Sequence, residues 1–267
     1  MTKKIKLYKF LYLFIVVISL SACEDMIDVE LRSAEPRIVI EGNVRMDSLA
    51  TIRITMTKDF SSTNEYLPVK DAIVKLWDDI GNEEILQLND SGYYTSISIR
   101  GVEKRVYNLS VEHEGTLYTA VSQMPPVVKI DSLTLFEFPM IDYPTPMVHF
   151  AEPKGIENDY YRAIVYVNGK RPGTGYGLIN GDYMDGLVIH ERLSVRTDNP
   201  NDEEDPVNQG DELMVELQCI DEGAYKFWET LMMIDNSLNN PTSNIKGGAL
   251  GYFNAYSFDR MTITAIW

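Results

Sequence analysis

The sequence predicts a mainly β protein, built as two β-rich domains in tandem with one substantial helix near residues 222–236. Three observations carry that expectation. From residue 37 to residue 123, short runs of alternating apolar and polar residues recur between turn clusters of Asp, Asn, Ser and Gly, with no helical period between them. Met124-Pro125-Pro126 then interrupts the pattern, because proline offers no N–H to a central strand. Beyond it, further strand patterns surround a single stretch whose apolar residues recur at three and four positions.

The first segment gives an address. Lys3, Lys4, Lys6 and Lys9 form a basic start, and LYLFIVVISL, residues 11–20, is an uncharged apolar run. A spanning helix needs roughly 20 apolar residues; this run is about half that, so residues 1–22 read as a signal peptide. Leu20-Ser21-Ala22-Cys23 resembles the bacterial lipobox, in which small residues enter the signal peptidase extended and the cysteine sulfur takes the diacylglycerol. Cys23 is therefore the expected lipidation site, and several acyl chains anchor a protein stably where one does not. Residues 23–35, opening Glu24-Asp25, read as an acidic tether. Acidic residues just after the lipidated cysteine resemble the surface-export signal of Bacteroidetes lipoproteins, an address read by a receptor.

Residues 36–126 read as the first domain, a β-sandwich. RIVIEGNVRM and LATIRITMT alternate about Asp47-Ser48, AIVKLWDD ends in the turn Asp79-Ile80-Gly81-Asn82, and EILQL ends in Asn89-Asp90-Ser91-Gly92. YYTSISI, KRVYNLSVEHEG and LYTAVSQ follow, the last two joined at His113-Glu114-Gly115-Thr116. Pro68-Val69-Lys70-Asp71-Ala72-Ile73-Val74, Gly92-Tyr93-Tyr94 and Tyr107-Asn108-Leu109-Ser110-Val111 resemble the ordered strands of immunoglobulin-like and transthyretin-like modules in secreted bacterial proteins, usually scaffolds or binding platforms.

Residues 127–267 read as a second β-rich domain. NDYYRAIVYVNGK ends in an Asn-Gly turn, and LVIHERLSVRT and ELMVELQCI are strands. RPGTGYGLINGDYMDG is glycine-rich but lacks the ending of a phosphate loop and the strand–helix setting of a dinucleotide fingerprint, so it reads as a loop or irregular hairpin. Asp221 is placed to cap the helix, in which Tyr225, Phe227, Trp228, Leu231, Met232 and Ile234 recur at three and four residues and whose Tyr-Phe-Trp-Leu stripe reads as core. MTITAIW closes the chain as a strand.

Composition excludes several classes. The chain has 267 residues and a net charge of −16; removing residues 1–22, with four lysines and no acid, leaves −20. Such a surface repels nucleic-acid phosphates, and no basic stripe offsets it. With Cys23 consumed by lipid, Cys219 has no partner, so neither a disulfide nor a cysteine-paired zinc site is expected, and Cys219 reads as a small buried hydrophobe. Asp198, Asp202, Glu203 and Asp205 are the candidate metal ligands, for calcium, but without EF-hand spacing or its central glycine a solvated loop is the favoured reading. His113, His149 and His190 stand far apart, without paired-histidine spacing, and no nucleophile elbow occurs. No cofactor and no catalytic activity are expected.

An ordered set of pieces resembles the domain-of-unknown-function family 4249, lipoproteins of Bacteroidetes. The pieces are the acidic start after Cys23, Ala34-Glu35-Pro36 before Ile38-Val39-Ile40-Glu41-Gly42, and Met124-Pro125-Pro126 before Ile130-Asp131-Ser132-Leu133. Ala224-Tyr225-Lys226-Phe227-Trp228-Glu229, Asn240-Pro241 and Asn244-Ile245-Lys246-Gly247-Gly248-Ala249-Leu250-Gly251-Tyr252-Phe253 complete it. The departure is a short stretch between the Asn-Pro and Asn-Ile pieces. The resemblance implies an accessory lipoprotein working near a TonB-dependent outer-membrane transporter, and it carries over no catalytic residue. The expected partners are the outer membrane, through lipid on Cys23, a transporter barrel and a small ligand. The rivals are a surface adhesion protein, a surface hydrolase with two close carboxylates in a cleft, and a calcium-dependent module.

Overall fold

The computed structural model describes residues 35–58, 66–137, 143–155, 159–173, 176–182, 184–195, 207–234 and 239–267. Alternation does what the pattern predicts in the first two strands. β1 (Ile38–Arg45) and β2 (Leu49–Met56) pair antiparallel from Ile38↔Met56 to Asn43↔Thr51, and every second side chain is buried along β1 and from Ala50 to Ile54 of β2. β3 (Ile73–Asp78), β4 (Glu83–Ile85), β5 (Gln87–Leu88), β6 (Tyr93–Arg100), β7 (Val106–His113) and β8 (Thr116–Gln123) follow. The β7–β8 turn places Glu114 and Gly115 at φ of 50° and 75°, the left-handed geometry of a tight hairpin.

The second half adds β9 (Ser132–Phe136), β10 (Thr145–Ala151), β11 (Tyr160–Val167), β12 (Gly177–Asn180), β13 (Val188–Arg192) and β14 (Glu212–Ile220). After them come helix α1 (Glu222–Met232) and β15 (Leu250–Thr264). The glycine-rich stretch is thus an irregular hairpin, with β12 pairing antiparallel to β11. The closing strand is far longer than MTITAIW alone. The helix stops at Met232, short of the expected residue 236, where the Met233 N–H turns back to the Thr230 and Leu231 carbonyls.

Three sheets result. The largest has eight strands in the order β12-β11-β14-β15-β1-β2-β6-β5; the others are β4-β3-β7-β8 and β13-β10-β9. β15 is the seam of the large sheet. Its first half runs parallel to β1, from Val39↔Leu250 to Arg45↔Tyr256. Its second half runs antiparallel to β14, from Cys219↔Ser257 to Glu212↔Thr264.

Two cores lie between the sheets. Ile40, Ile52, Ile54 and Phe253 of the large sheet meet Val74, Leu76, Leu109 and Val111. Tyr161, Val165, Leu213 and Leu217 meet Leu133, Val148, Phe150 and Ile189. The expected boundary near residue 127 falls between these cores, Met124 in the first and Val128 in the second. The large sheet nevertheless crosses it, and Pro36–Trp267 forms one compact unit. The chain is mainly β, with a sandwich-like layout and a single helix among the described residues.

Candidate functional site

The two faces of the large sheet differ in chemistry, because side chains alternate along each strand. Tyr161, Ala163 and Val165 of β11 and Leu213, Val215 and Leu217 of β14 point into the second core. Their neighbours Tyr160, Arg162, Glu216, Gln218 and Ile220, with Tyr252, Asn254 and Tyr256 of β15, make the opposite face. Register sets Arg162 opposite Gln218, Glu216 opposite Arg260, Arg45 opposite Tyr256 and Asn43 opposite Asn254.

Helix α1 covers this face. Asp221 caps it, accepting the Ala224 N–H at 2.8 Å, and also accepts the Ser122 hydroxyl at 2.5 Å and the Gln123 N–H at 3.1 Å. Ala224, Phe227 and Trp228 are buried against Tyr160 and Ile220. Phe227 and Trp228 meet the Tyr252 ring at 4.9 and 4.7 Å between centroids, and Tyr176 meets Trp228 at 5.4 Å. Gly251 lets β15 reach this position: its φ is 95°, and a Cβ there would lie 2.1 Å from the Ile40 carbonyl oxygen. Tyr252 is thereby delivered to the aromatic cluster while Phe253 enters the first core.

Arg162 stands at the centre. Its guanidinium lies 3.6 Å from the centre of the Trp228 ring and 4.5 Å from that of Tyr176. It is only 7% exposed. Burial, with Arg171 adding to it, pushes its pKa down to about 10, so it stays charged at neutrality. No hydrogen bond or ion pair to its side chain is found among the described residues, and Nε is sealed from solvent without an acceptor. The effective penalty for burying one ion is several kcal/mol, whereas a desolvated cation over a ring returns about 2 kcal/mol. The other arginines of this face are answered. Arg260 reaches Glu216 through Nε at 2.8 Å and Nη2 at 2.5 Å, Arg45 stands 3.6 Å from the same carboxylate, and Gln218 donates to it at 2.6 Å. Gln218 Oε1, Trp228 Nε1 and both polar atoms of the Asn254 amide are also buried without partners.

Three other places carry chemistry. Glu152 is buried beside Asp159 and accepts the Tyr161 hydroxyl at 3.0 Å. Burial, then Asp159, pushes Glu152 up to about 7, and burial raises Asp159 too. Gly181 closes over the pair, where a Cβ would sit 2.6 Å from Glu152 Oε1. These are two close carboxylates, Glu152 buried and Asp159 partly exposed. His149 and His190, remote in sequence, pair across β10 and β13 with Nδ1 atoms 2.5 Å apart. The spacing argument missed them because only strand register brings them together. No group of three metal-ligating side chains occurs among the described residues. Asp78, Asn82, Ser98 and Arg105 line a surface hollow of about 250 Å³, where Asp78 is already engaged by Asn82, Ile80 and Arg105.

Cys23 and the acidic group Asp198, Asp202, Glu203 and Asp205 lie outside the described residues. Cys219 is buried, accepts the Val128 N–H at 3.3 Å, and has its thiol pushed up to about 12 by burial. Arg162 was not singled out by sequence reasoning. The signal was there: a lone charge inside YYRAIVYV, a run otherwise apolar enough to be buried on both sides.

The chain belongs to the family described as a domain of unknown function (DUF4249), whose model matches residues 24–262. No curated protein matches it.

Proposed function

We propose that this DUF4249 member is a lipid-anchored accessory or binding lipoprotein of a Bacteroidetes outer membrane, working beside a TonB-dependent transporter in nutrient capture. The observation that carries the reading is the order of signals at the start of the chain: four lysines, a ten-residue apolar run, Ser21-Ala22 and Cys23. Family membership and the buried, unanswered guanidinium of Arg162 beneath α1 support it.

The mechanism is one of tethering and presentation. Lipid on Cys23 confines the chain to the membrane plane, so that even a weak contact with a barrel is well occupied. The acidic residues after Cys23 direct the chain outward, and the β-rich body holds its binding face on strands rather than on loops. No covalent step is required of the protein.

Cys23→Ala tests the anchoring. Expressed at normal level, the variant is expected to leave the membrane fraction and to lower substrate uptake severalfold. Full uptake by the variant sinks the tethering mechanism. Recovery of the native chain from mild detergent with a stoichiometric barrel supports the partner; recovery of the lipidated chain alone moves the reading to a free-standing surface binder or adhesin.

A further inference from the structure

We propose that the face beneath α1 is a receptor for a small organic carboxylate carried on a flat ring, with the Arg162 guanidinium as its counter-ion. The inference deepens the reading of the chain as a binding lipoprotein, and it rests on that reading only for its physiological purpose.

The first argument is the missing counter-charge. The chain contains forty carboxylates, and among the described residues none is paired with Arg162. Glu216, the carboxylate buried on this face, is engaged by Arg260, Arg45 and Gln218. Glu41, on the same face of β1, is held by Arg53 at 3.4 Å. Two aromatic faces offset only part of what burial of a guanidinium costs. The site thus carries one uncompensated positive charge, which a monoanion matches and a dianion exceeds.

The second argument is the pattern of unanswered polar atoms. Arg162 Nε and Trp228 Nε1 are two N–H donors without acceptors, the indole lying against the guanidinium. A carboxylate is acceptor-only and planar, and its geometry suits the guanidinium fork. Gln218 Oε1, directly opposite Arg162 in the register, and the Asn254 amide remain for a hydroxyl or amine elsewhere on the ligand. Buried polar groups in native structures nearly always have a partner, so this many on one face marks a place built for one.

The third argument is shape. Tyr176, Tyr252 and Tyr256 surround the guanidinium closely enough to affect its proton affinity. Each of these three residues keeps part of its surface in solvent, so together they form an aromatic rim at the edge of the site that offers flat apolar surface to the body of the ligand.

Benzoate is the probe, with benzamide as its neutral isostere and inorganic phosphate as the competing anion. The purified, detergent-solubilised full chain is titrated by calorimetry, by thermal melting and by tryptophan fluorescence in a background where Trp77 and Trp267 are Phe. Benzoate is expected to bind saturably, raise the melting temperature and quench Trp228, while benzamide and phosphate do neither. Arg162→Lys keeps the charge but loses the fork and is expected to weaken benzoate about tenfold. Arg162→Met is expected to abolish binding while melting at or above the wild-type temperature, because it removes an unanswered buried charge. The proposal is overturned by no benzoate binding, by equal binding of benzamide, by phosphate binding in place of benzoate, or by unchanged benzoate affinity in either Arg162 variant. A lowered melting temperature for Arg162→Met overturns it as well, since the stacked guanidinium is then a structural pillar. Benzoate binding by a chain that purifies without a barrel removes the transporter reading and leaves the site; a barrel that co-purifies with a chain indifferent to benzoate does the reverse.

Discussion

The two faces of the large sheet are made by the same strands and differ in what they do. On the inner face, Phe253, Leu217 and Leu213 are buried among apolar neighbours. One residue away, the outer face buries Arg162, Gln218 and Asn254 with polar atoms unanswered. The inner face holds the molecule together through area removed from water, about 25 cal/mol per Å². The outer face works against that total, since each unsatisfied buried polar group costs about 1–3 kcal/mol. A fold tolerates such a face only when the opposing one supplies a surplus, and the difference teaches where to look for function: on the side where stability is given up.

The largest expected effect breaks the inner face. Phe253 is fully buried on β15 at the seam between β1 and β14, so Phe253→Ala is expected to cost about 3–5 kcal/mol. Urea denaturation measures it as a lower midpoint at unchanged slope. A loss below about 1 kcal/mol would mean that the inner face does not carry the stability assigned to it.

A smaller effect loosens the outer face alone. Asp221 ties α1 to β8 through Ser122 and Gln123 while capping its first turn. Burial raises its pKa, yet the Ser122 hydroxyl and the Gln123 and Ala224 N–H groups all converge on its carboxyl group. Asp221→Ala is expected to cost about 2 kcal/mol from the lost cap and the orphaned donors. Hydrogen exchange sharpens the comparison: α1 amides are expected to lose protection while β11 and β14 keep theirs. Uniform loss across both would show that the helix and the sheet open as one unit.

How much of this was legible in the sequence depended on the range of the interaction. Alternation, turns and the Asp221 cap are local, so β1, β2, β14 and the start of α1 were readable residue by residue. The extent of β15 was not. Gly247, Gly248 and Gly251 resemble a loop in one dimension, and only the parallel approach of β1 makes Gly251 a strand residue. The shared sheet was illegible for the same reason: Pro125-Pro126 stands between two cores, but the strand that joins them arrives from the end of the chain. Arg162 was visible as an odd charge in an apolar run, whereas its want of a partner is a property of four strands and a helix together. His149 and His190 pair through register, which spacing along the chain does not encode.

The inner side carries a buried acidic pair, and it supplies the smallest test. Tyr161 points into the second core and donates its hydroxyl to Glu152, which stands beside Asp159. Two carboxyl groups this close and this buried retain a proton, so Glu152 titrates at about 7 in the folded chain against an ordinary value of 4.5. The sign follows from proton counts: between those values the folded state binds the extra proton, and stability falls as pH rises. Its contribution is fully present below about 4.5 and gone above about 7. Glu152→Gln keeps the shape and the acceptor for Tyr161 but cannot ionise. The variant is expected to match the wild type near pH 4.5 and exceed it by about 1–2 kcal/mol at pH 8. Paired denaturation curves at the two pH values measure that difference and cancel the titration of the groups remote from the pair, leaving that of Glu152 and its neighbour Asp159. Equal stability at pH 8 would mean that Glu152 is ionised and answered in the folded state, and the inner side would then tolerate charge as the outer face does.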